Sequence, residues 1–132
     1  DLHTAYRRQR QMCIRDRQGP TFDNRNGGFS GKGYAYFVGK SGEHLEWIVT
    51  APEATTYQLA FRYALAGGNR PLALKVNGKV IQKSLPFNDT GDWTSWKDLN
   101  TETALQKGEN QIRLESIGVS GPNVDRLTLK RR

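Results

Sequence analysis

The feature that most constrains the fold is a strict alternation of apolar and polar side chains over residues 55–65. Successive side chains of a β-strand point to opposite faces of a sheet, so this period predicts a strand with one buried face. The side chains expected on that face are Tyr57, Leu59, Phe61 and Tyr63. Residues 44–51 alternate in the same way, with Leu45, Trp47 and Val49 on one face.

Turn signals separate runs of this kind along most of the chain, and no segment has a helical period of convincing length. Asn77-Gly78 is the strongest of these signals, because both central residues of a type I′ hairpin turn need positive φ. We predict about eight short strands in an all-β fold, a single β-sandwich or jelly roll. The expected strands cover residues 34–38, 44–51, 55–65, 72–76, 79–85, 88–99, 111–117 and 124–130.

The net charge of +7 is concentrated at the two ends of the 132-residue chain. Residues 1–17 carry five Arg and two Asp, and residues 130–132 are all basic, which leaves +1 for residues 18–129. A protein that binds nucleic acid carries a basic surface on its folded part, so we expect no nucleic acid partner. No apolar run approaches the roughly 20 residues needed to cross a membrane, so we expect no membrane partner.

We interpret residues 1–20 as an Arg-rich N-terminal segment that does not conform to the rest of the chain, and residues 21–132 as one module. The segment has no period of 2 or 3.6 residues, and residues 12–17 resemble translated sequencing-adapter read-through. We assign no function to it or to Cys13, the single cysteine. The glycine-rich residues 24–33 lack the motif of a phosphate-binding loop and are expected to form a tight turn or close packing.

No combination of residues indicates a catalytic site, so we do not expect an enzyme. The two histidines are His3 and His44, and neither has a partner suited to metal or nucleophilic chemistry. The carboxylates are scattered at turns, and their spacing does not indicate a glycosidase pair.

Trp93 and Trp96 lie three residues apart in the segment 88–99, after a Gly-Asp turn signal. If this segment is a strand, the two rings point to opposite sides of the sheet. The pattern leaves two interpretations open. Both rings belong to the core, or one is buried while the other presents an apolar face to a ligand.

Asp125 is expected to face the core, because it shares the parity of Leu127 and Leu129 in the last strand. An inward carboxylate needs a partner, which is a set of backbone N–H groups, a cation or a metal ion. Asn123 follows a Gly-Pro turn. It is either a turn residue or an amide that grips neighbouring sugar hydroxyls with its donor and acceptor.

Seven short motifs, in their order and spacing over residues 27–129, resemble the carbohydrate-binding modules of families 35 and 6. The motifs are SGKGY at 30–34, EWIV at 46–49, YQLAFRYA at 57–64, VNG at 76–78, TGDWTSW at 90–96, LQKGEN at 105–110 and GPNVD at 121–125. The resemblance implies a galactose-binding-domain-like jelly roll without catalytic activity that binds a polysaccharide or oligosaccharide.

The resemblance also implies a place in a larger protein. Such modules are covalently attached to catalytic domains of secreted enzymes and direct them to polysaccharides, so we expect an extracellular or periplasmic location. The alternative is a structural or protein-interaction β-sandwich of a multidomain secreted protein.

By matching motif, Trp93 and Asn123 would bind the sugar, with Tyr36 or Phe37 as a second aromatic. The resemblance further implies a structural calcium ion with Asp125 as its late ligand. The family's other ligands are glutamates of the first strand and backbone carbonyls, and residues 1–20 contain no glutamate.

The loop residues Asn69 and Arg70 have two readings. They form a solvated turn, or they favour an acidic sugar, because arginine pairs well with carboxylates.

Overall fold

The computed structural model describes residues 9–12, 16–18, 21–23, 34–37 and 42–131, with side chains described for residues 34–37 and 42–131. Every regular element within these ranges is a β-strand. These strands are β1 (Gln9–Met12), β2 (Asp16–Gln18), β3 (Thr21–Asp23), β4 (Tyr34–Tyr36), β5 (His44–Ala51), β6 (Thr55–Ala64), β7 (Leu72–Val76), β8 (Lys79–Leu85), β9 (Lys97–Leu105), β10 (Gly108–Ser116) and β11 (Asn123–Arg131). No helix of the described part is long and apolar enough to span a membrane.

The strands form two antiparallel sheets, as the predicted β-sandwich requires. The first sheet has the order β3-β4-β11-β6-β9, with β1 also paired to β11. The second has the order β2-β5-β10-β7-β8. Between β4 and β11 the chain changes sheet six times, so neither sheet is built from one run of consecutive strands. The prediction of an all-β sandwich is confirmed.

The alternating runs bury the side chains that the sequence predicts. Inward residues of β5 and β6 join one core cluster with inward residues of β7, β10 and β11. Trp47 of the second sheet lies against Phe61 of the first, with ring centroids 5.6 Å apart. This contact joins the two sheets through aromatic surface, which contributes strongly to core packing. The predicted buried faces of both runs are therefore confirmed.

The hairpin between β7 and β8 forms where the sequence predicts it. Asn77 has a φ of 52° and Gly78 a φ of 80°, so both central residues are left-handed. The Asn77 side chain also holds the turn, because its Oδ1 accepts a hydrogen bond from the Gln111 N–H at 2.8 Å. The turn is thereby fastened to β10, the strand on the other side of β7.

The described parts of residues 1–23 form three short strands, although residues 1–20 show no period in the sequence. The backbone of β1 pairs with β11, with Gln9 opposite Lys130, and β2 pairs with β5, with Asp16 opposite Glu46. Strand β3 pairs with β4. The boundary between the N-terminal segment and the module at residue 20 stays a prediction. Cys13, His3 and residues 24–33 lie outside the described residues.

Replacing Leu59 tests how much the central strand contributes to stability. Leu59 is fully buried between Thr101 of β9 and Leu129 of β11. Leu59→Ala should lower the free energy of unfolding by about 2–5 kcal/mol, since it removes buried methyl groups and leaves a cavity. Urea denaturation measures the loss. Gln58→Ala, on the opposite face of the same strand, should change it by about 0.5 kcal/mol or less. Equal losses would contradict the burial of this face.

Candidate functional site

Loops from both sheets meet at one end of the sandwich, which we call the loop end. The described loops of the loop end are residues 65–71, 86–96 and 117–122. Backbone hydrogen bonds join the first two, since Arg70 N–H donates to Phe87 O at 3.1 Å and Thr90 N–H donates to Leu65 O at 2.8 Å. Arg70 also reaches the third loop, where its Nη1 donates to Gly121 O at 3.4 Å. The loops therefore form one connected surface.

Thr90 fastens the loop that carries the tryptophans to the end of β6. Its buried hydroxyl oxygen accepts a hydrogen bond from Leu65 N–H at 3.0 Å. The single hydroxyl proton can be donated to Leu65 O at 3.2 Å or to Asp92 O at 3.1 Å. Tyr63 adds a further contact, because its hydroxyl donates to Asn88 O at 2.7 Å.

Asp89 fixes the same loop from its solvent side. Its Oδ1 accepts hydrogen bonds from Gly67 N–H at 2.8 Å and from Gly91 N–H at 2.7 Å. Both bonds lower the pKa of Asp89, because they stabilise the charged carboxylate. The bond from Gly67 has the larger effect. Gly91 has a φ of 100°, a conformation that side chains with a Cβ rarely adopt. The turn before Trp93 is thus held on both sides.

The two tryptophans lie in a turn and not in a strand, which corrects the expectation from alternation. Ser95 N–H donates to Asp92 O at 3.2 Å, and β9 begins only at Lys97. The turn still separates the rings. Trp93 is half-buried against the core cluster, whereas Trp96 packs on Tyr34 in a tilted arrangement with centroids 5.3 Å apart. Neither ring belongs to the fully buried core.

Trp93 carries a cation on its ring. The guanidinium carbon of Arg70 lies 5.5 Å from the ring centroid, within the range of a cation–π interaction. Arg70 is itself positioned by its bonds to Phe87 and Gly121. Trp93 and Arg70 therefore form one amphipathic unit, with an aromatic surface beside a positive charge.

Phe37 is a core residue, and its burial disfavours it as the second aromatic of the site. It is 4% exposed and belongs to the core cluster. Gly121 lies directly over it, since a Cβ at Gly121 would come within 2.8 Å of the Phe37 ring. Tyr36 is half-buried and stands outside that cluster, at the end of β4 that lies beside the start of β11. Tyr36 is the remaining candidate for the second aromatic.

Asn123 lies where the third loop enters the first sheet. It is the first residue of β11, opposite Ala64 at the end of β6. Its residue surface is 8% exposed. The fold therefore brings Trp93, Arg70 and Asn123 to the loop end, with Tyr36 at the adjoining end of β4.

Asp125 lies in a β-bulge, and the parity argument for it is wrong. The register of β11 against β6 shifts between Val124 and Arg126, so Asp125 does not continue the face of Leu127. Its buried carboxylate instead receives a hydrogen bond from Arg62 Nη1 at 2.6 Å. The sequence left backbone N–H groups, a cation or a metal ion as possible partners of Asp125. In the structure one partner is a cation of the chain itself, the Arg62 guanidinium.

The described residues around Asp125 do not by themselves form a calcium site. Calcium takes six to eight oxygen ligands and is favoured by several carboxylates. Within the described part of the chain no group of three or more His, Cys, Asp or Glu side chains could hold a metal. The Asp125 carboxylate is already paired with a guanidinium.

Sequence reasoning missed the residues that position the site. Thr90 and Asp89 are not among the candidate ligand-binding residues, but they hold the turn that presents Trp93. The available signal was the polar run 88–92, since Asn, Asp and Thr side chains favour turns by bonding to nearby backbone groups.

Comparisons with known proteins agree with one another. A family model described as "Carbohydrate binding module (family 6)" matches residues 13–131. The exo-beta-D-glucosaminidase of Amycolatopsis orientalis is 34% identical over 109 residues, which cover 81% of this chain and 11% of that enzyme. The chain therefore spans only a small part of this curated relative.

Solved structures show the same likeness over the whole fold. A family 35 carbohydrate binding module from Clostridium thermocellum is 33% identical, with a TM-score of 0.85, and the match covers 92% of this chain and 96% of that one. Xyl-CBM35, solved in complex with a glucuronic acid containing disaccharide, is 30% identical with a TM-score of 0.79. That match covers 93% of this chain and 92% of Xyl-CBM35.

Acid should weaken the anchoring of the tryptophan turn. Because the pKa of Asp89 is lowered in the folded state, its contribution is present above its unfolded pKa and is lost as pH falls through the folded pKa. Asp89→Asn keeps the accepting oxygen and removes the charge, so its Tm should fall less between about pH 5 and 3 than that of the wild type. Thermal melts at each pH measure the difference. Asp92→Asn, in the same loop, is the matched control and should retain the wild-type slope.

Proposed function

The chain belongs to the carbohydrate-binding modules of family 6, and we propose that it binds its polysaccharide or oligosaccharide at the loop end through Trp93, Asn123 and Tyr36. The observation that carries this proposal is the presentation of Trp93. Its ring is half-buried on a turn that Thr90 and Asp89 fasten to β6. A large aromatic surface held in this way is suited to a ligand with a flat apolar face.

The chemistry of sugars matches these side chains. A pyranose ring has an apolar C–H face and a polar rim, and a tryptophan ring covers the C–H face at little conformational cost. Asn123 offers both a donor and an acceptor to neighbouring hydroxyl groups. Few contacts of this kind give a Kd on the order of μM to mM.

We further propose that the module directs an attached catalytic domain to its substrate. Support comes from the glucosaminidase relative, in which the matching region is 11% of the enzyme. Enzymes that act on polysaccharides meet them outside the cytoplasm, so an extracellular or periplasmic location fits this role. A local concentration effect of this kind raises the occupancy of a weak site without new contacts.

Arg70 favours an acidic sugar as the ligand. Its guanidinium lies over the Trp93 ring, where it could receive a sugar carboxylate while the ring of the same sugar contacts the part of the tryptophan that stays uncovered. The complex of Xyl-CBM35 with a glucuronic acid containing disaccharide supports this class of ligand. A uronic acid and its neutral counterpart differ by one charge, so their affinities for the module should differ.

Replacing Trp93 tests the site. Trp93→Ala should weaken binding in a glycan-array and calorimetric screen by about 2 kcal/mol or more, roughly thirtyfold, because it removes the aromatic surface. Val80→Ala, an exposed residue on β8 next to the far hairpin, should bind as the wild type does. A folded wild type that binds no glycan would instead favour the alternative of a structural or protein-interaction domain.

Replacing Arg70 tests the ligand class. Arg70→Gln should reduce affinity for a glucuronic acid containing disaccharide by about tenfold or more, because a charge-assisted pair is lost, and should change affinity for the neutral glucose analogue little. Lys79→Gln removes the same charge from an exposed residue of β8 and is the matched control. Equal losses for both sugars would mean that Arg70 supports the Trp93 ring and does not read the carboxylate.

A further inference from the structure

We propose that Arg62 is a built-in counter-ion of Asp125 and that the module keeps its fold without a calcium ion at this position. The inference rests on the side-chain geometry around the bulge in β11. It is independent of sugar binding at the loop end.

The bulge delivers the carboxylate to the guanidinium. Arg62 and Arg126 are register partners, and the extra residue between Val124 and Arg126 is Asp125. Asp125 Oδ2 and Arg62 Nη1 are 2.6 Å apart, with the carboxylate side chain 0% and the arginine side chain 23% exposed. A charge-assisted hydrogen bond this short, with one partner fully desolvated, is much stronger than an exposed ion pair.

Aromatic rings hold the guanidinium in place. The Arg62 guanidinium carbon lies 5.5 Å from the centroid of Trp96, and Trp96 in turn packs on Tyr34. A planar guanidinium suits such a site, since it stacks on aromatic faces while its N–H groups bind a carboxylate. The second tryptophan of the turn therefore has a role in the ion pair and not in the loop-end site.

A calcium ion on the same carboxylate would meet this fixed cation. Calcium lies about 2.4 Å from its oxygen ligands, so the ion and Arg62 would approach within roughly 5 Å of each other. Two positive charges at that distance repel unless further carboxylates compensate. The first 33 residues contain only Asp1, Asp16 and Asp23 as acidic residues. The backbone of Asp16 pairs with the other sheet, whereas that of Asp23 pairs with Tyr34 in the same sheet as β11. Asp98 of β9 is the register partner of Arg62.

Thermal melting of the purified chain without sugar tests the proposal. The Tm should be the same in EGTA, in millimolar calcium chloride and in magnesium chloride of equal ionic strength. If calcium alone raises the Tm, the same titration of Asp125→Asn decides the outcome. A calcium shift that disappears in that variant overturns the proposal, whereas a shift that persists places the ion elsewhere and supports it.

The role of Arg62 is tested by its own variants. Arg62→Gln removes the cation that is hydrogen-bonded to this buried carboxylate, so its Tm should fall by about 10 °C. Arg113→Gln is the matched control, because Arg113 pairs with the less buried Glu46, and its Tm should fall less. A wild-type Tm for Arg62→Gln would overturn the proposal.

A conservative variant covers the case in which Arg62→Gln does not fold. Arg62→Lys keeps the cation and should fold, with a smaller loss of Tm and no response to calcium. If Arg62→Lys needs calcium to fold, the proposal is wrong. Sugar binding is measured separately, so a failure of the loop-end site does not affect this result.

Discussion

The loop end depends on the attachment of the tryptophan turn to the end of β6. Thr90 provides three contacts there, because its N–H donates to Leu65 O while its hydroxyl oxygen accepts from Leu65 N–H and its proton reaches a carbonyl. These bonds replace the strand pairing that ends at Ala64. Without them, the segment beyond the Asn69–Asn88 bridge would lose its fixed path, and Trp93 would lose its position.

The two tryptophans of the turn hold two arginines for different purposes. Each guanidinium carbon lies 5.5 Å from its ring centroid, but the surroundings differ. Arg62 is paired with a buried carboxylate, so its charge is neutralised within the fold. Among the described residues the Arg70 side chain bonds to a carbonyl oxygen and to no carboxylate, so its charge is suited to an acidic ligand. The same side-chain pair is thus structural in one case and suited to recognition in the other.

The sequence predicts the fold well where one face is buried and poorly where it is not. Strands β5 and β6 alternate cleanly because their inward side chains fill the core. The bounds of β9 were missed because it is an edge strand whose side chains are mostly polar. Asp125 was assigned to the wrong face because a bulge changes parity without a signal in the residue types. Tertiary packing also decides that Phe37 is core, since the glycine over it is distant in sequence.

Fixing the turn determines what kind of ligand the site can select. A preorganised aromatic surface loses little entropy when a ligand binds. The affinity is modest because the area of contact is small. One part of the Trp93 ring is covered by the core and another by Arg70. A neutral sugar on the Arg70 side must share the ring with a cation that it cannot neutralise. An acidic sugar can stack on the ring and pair with the cation at once, so the same geometry that limits affinity favours a charged ligand.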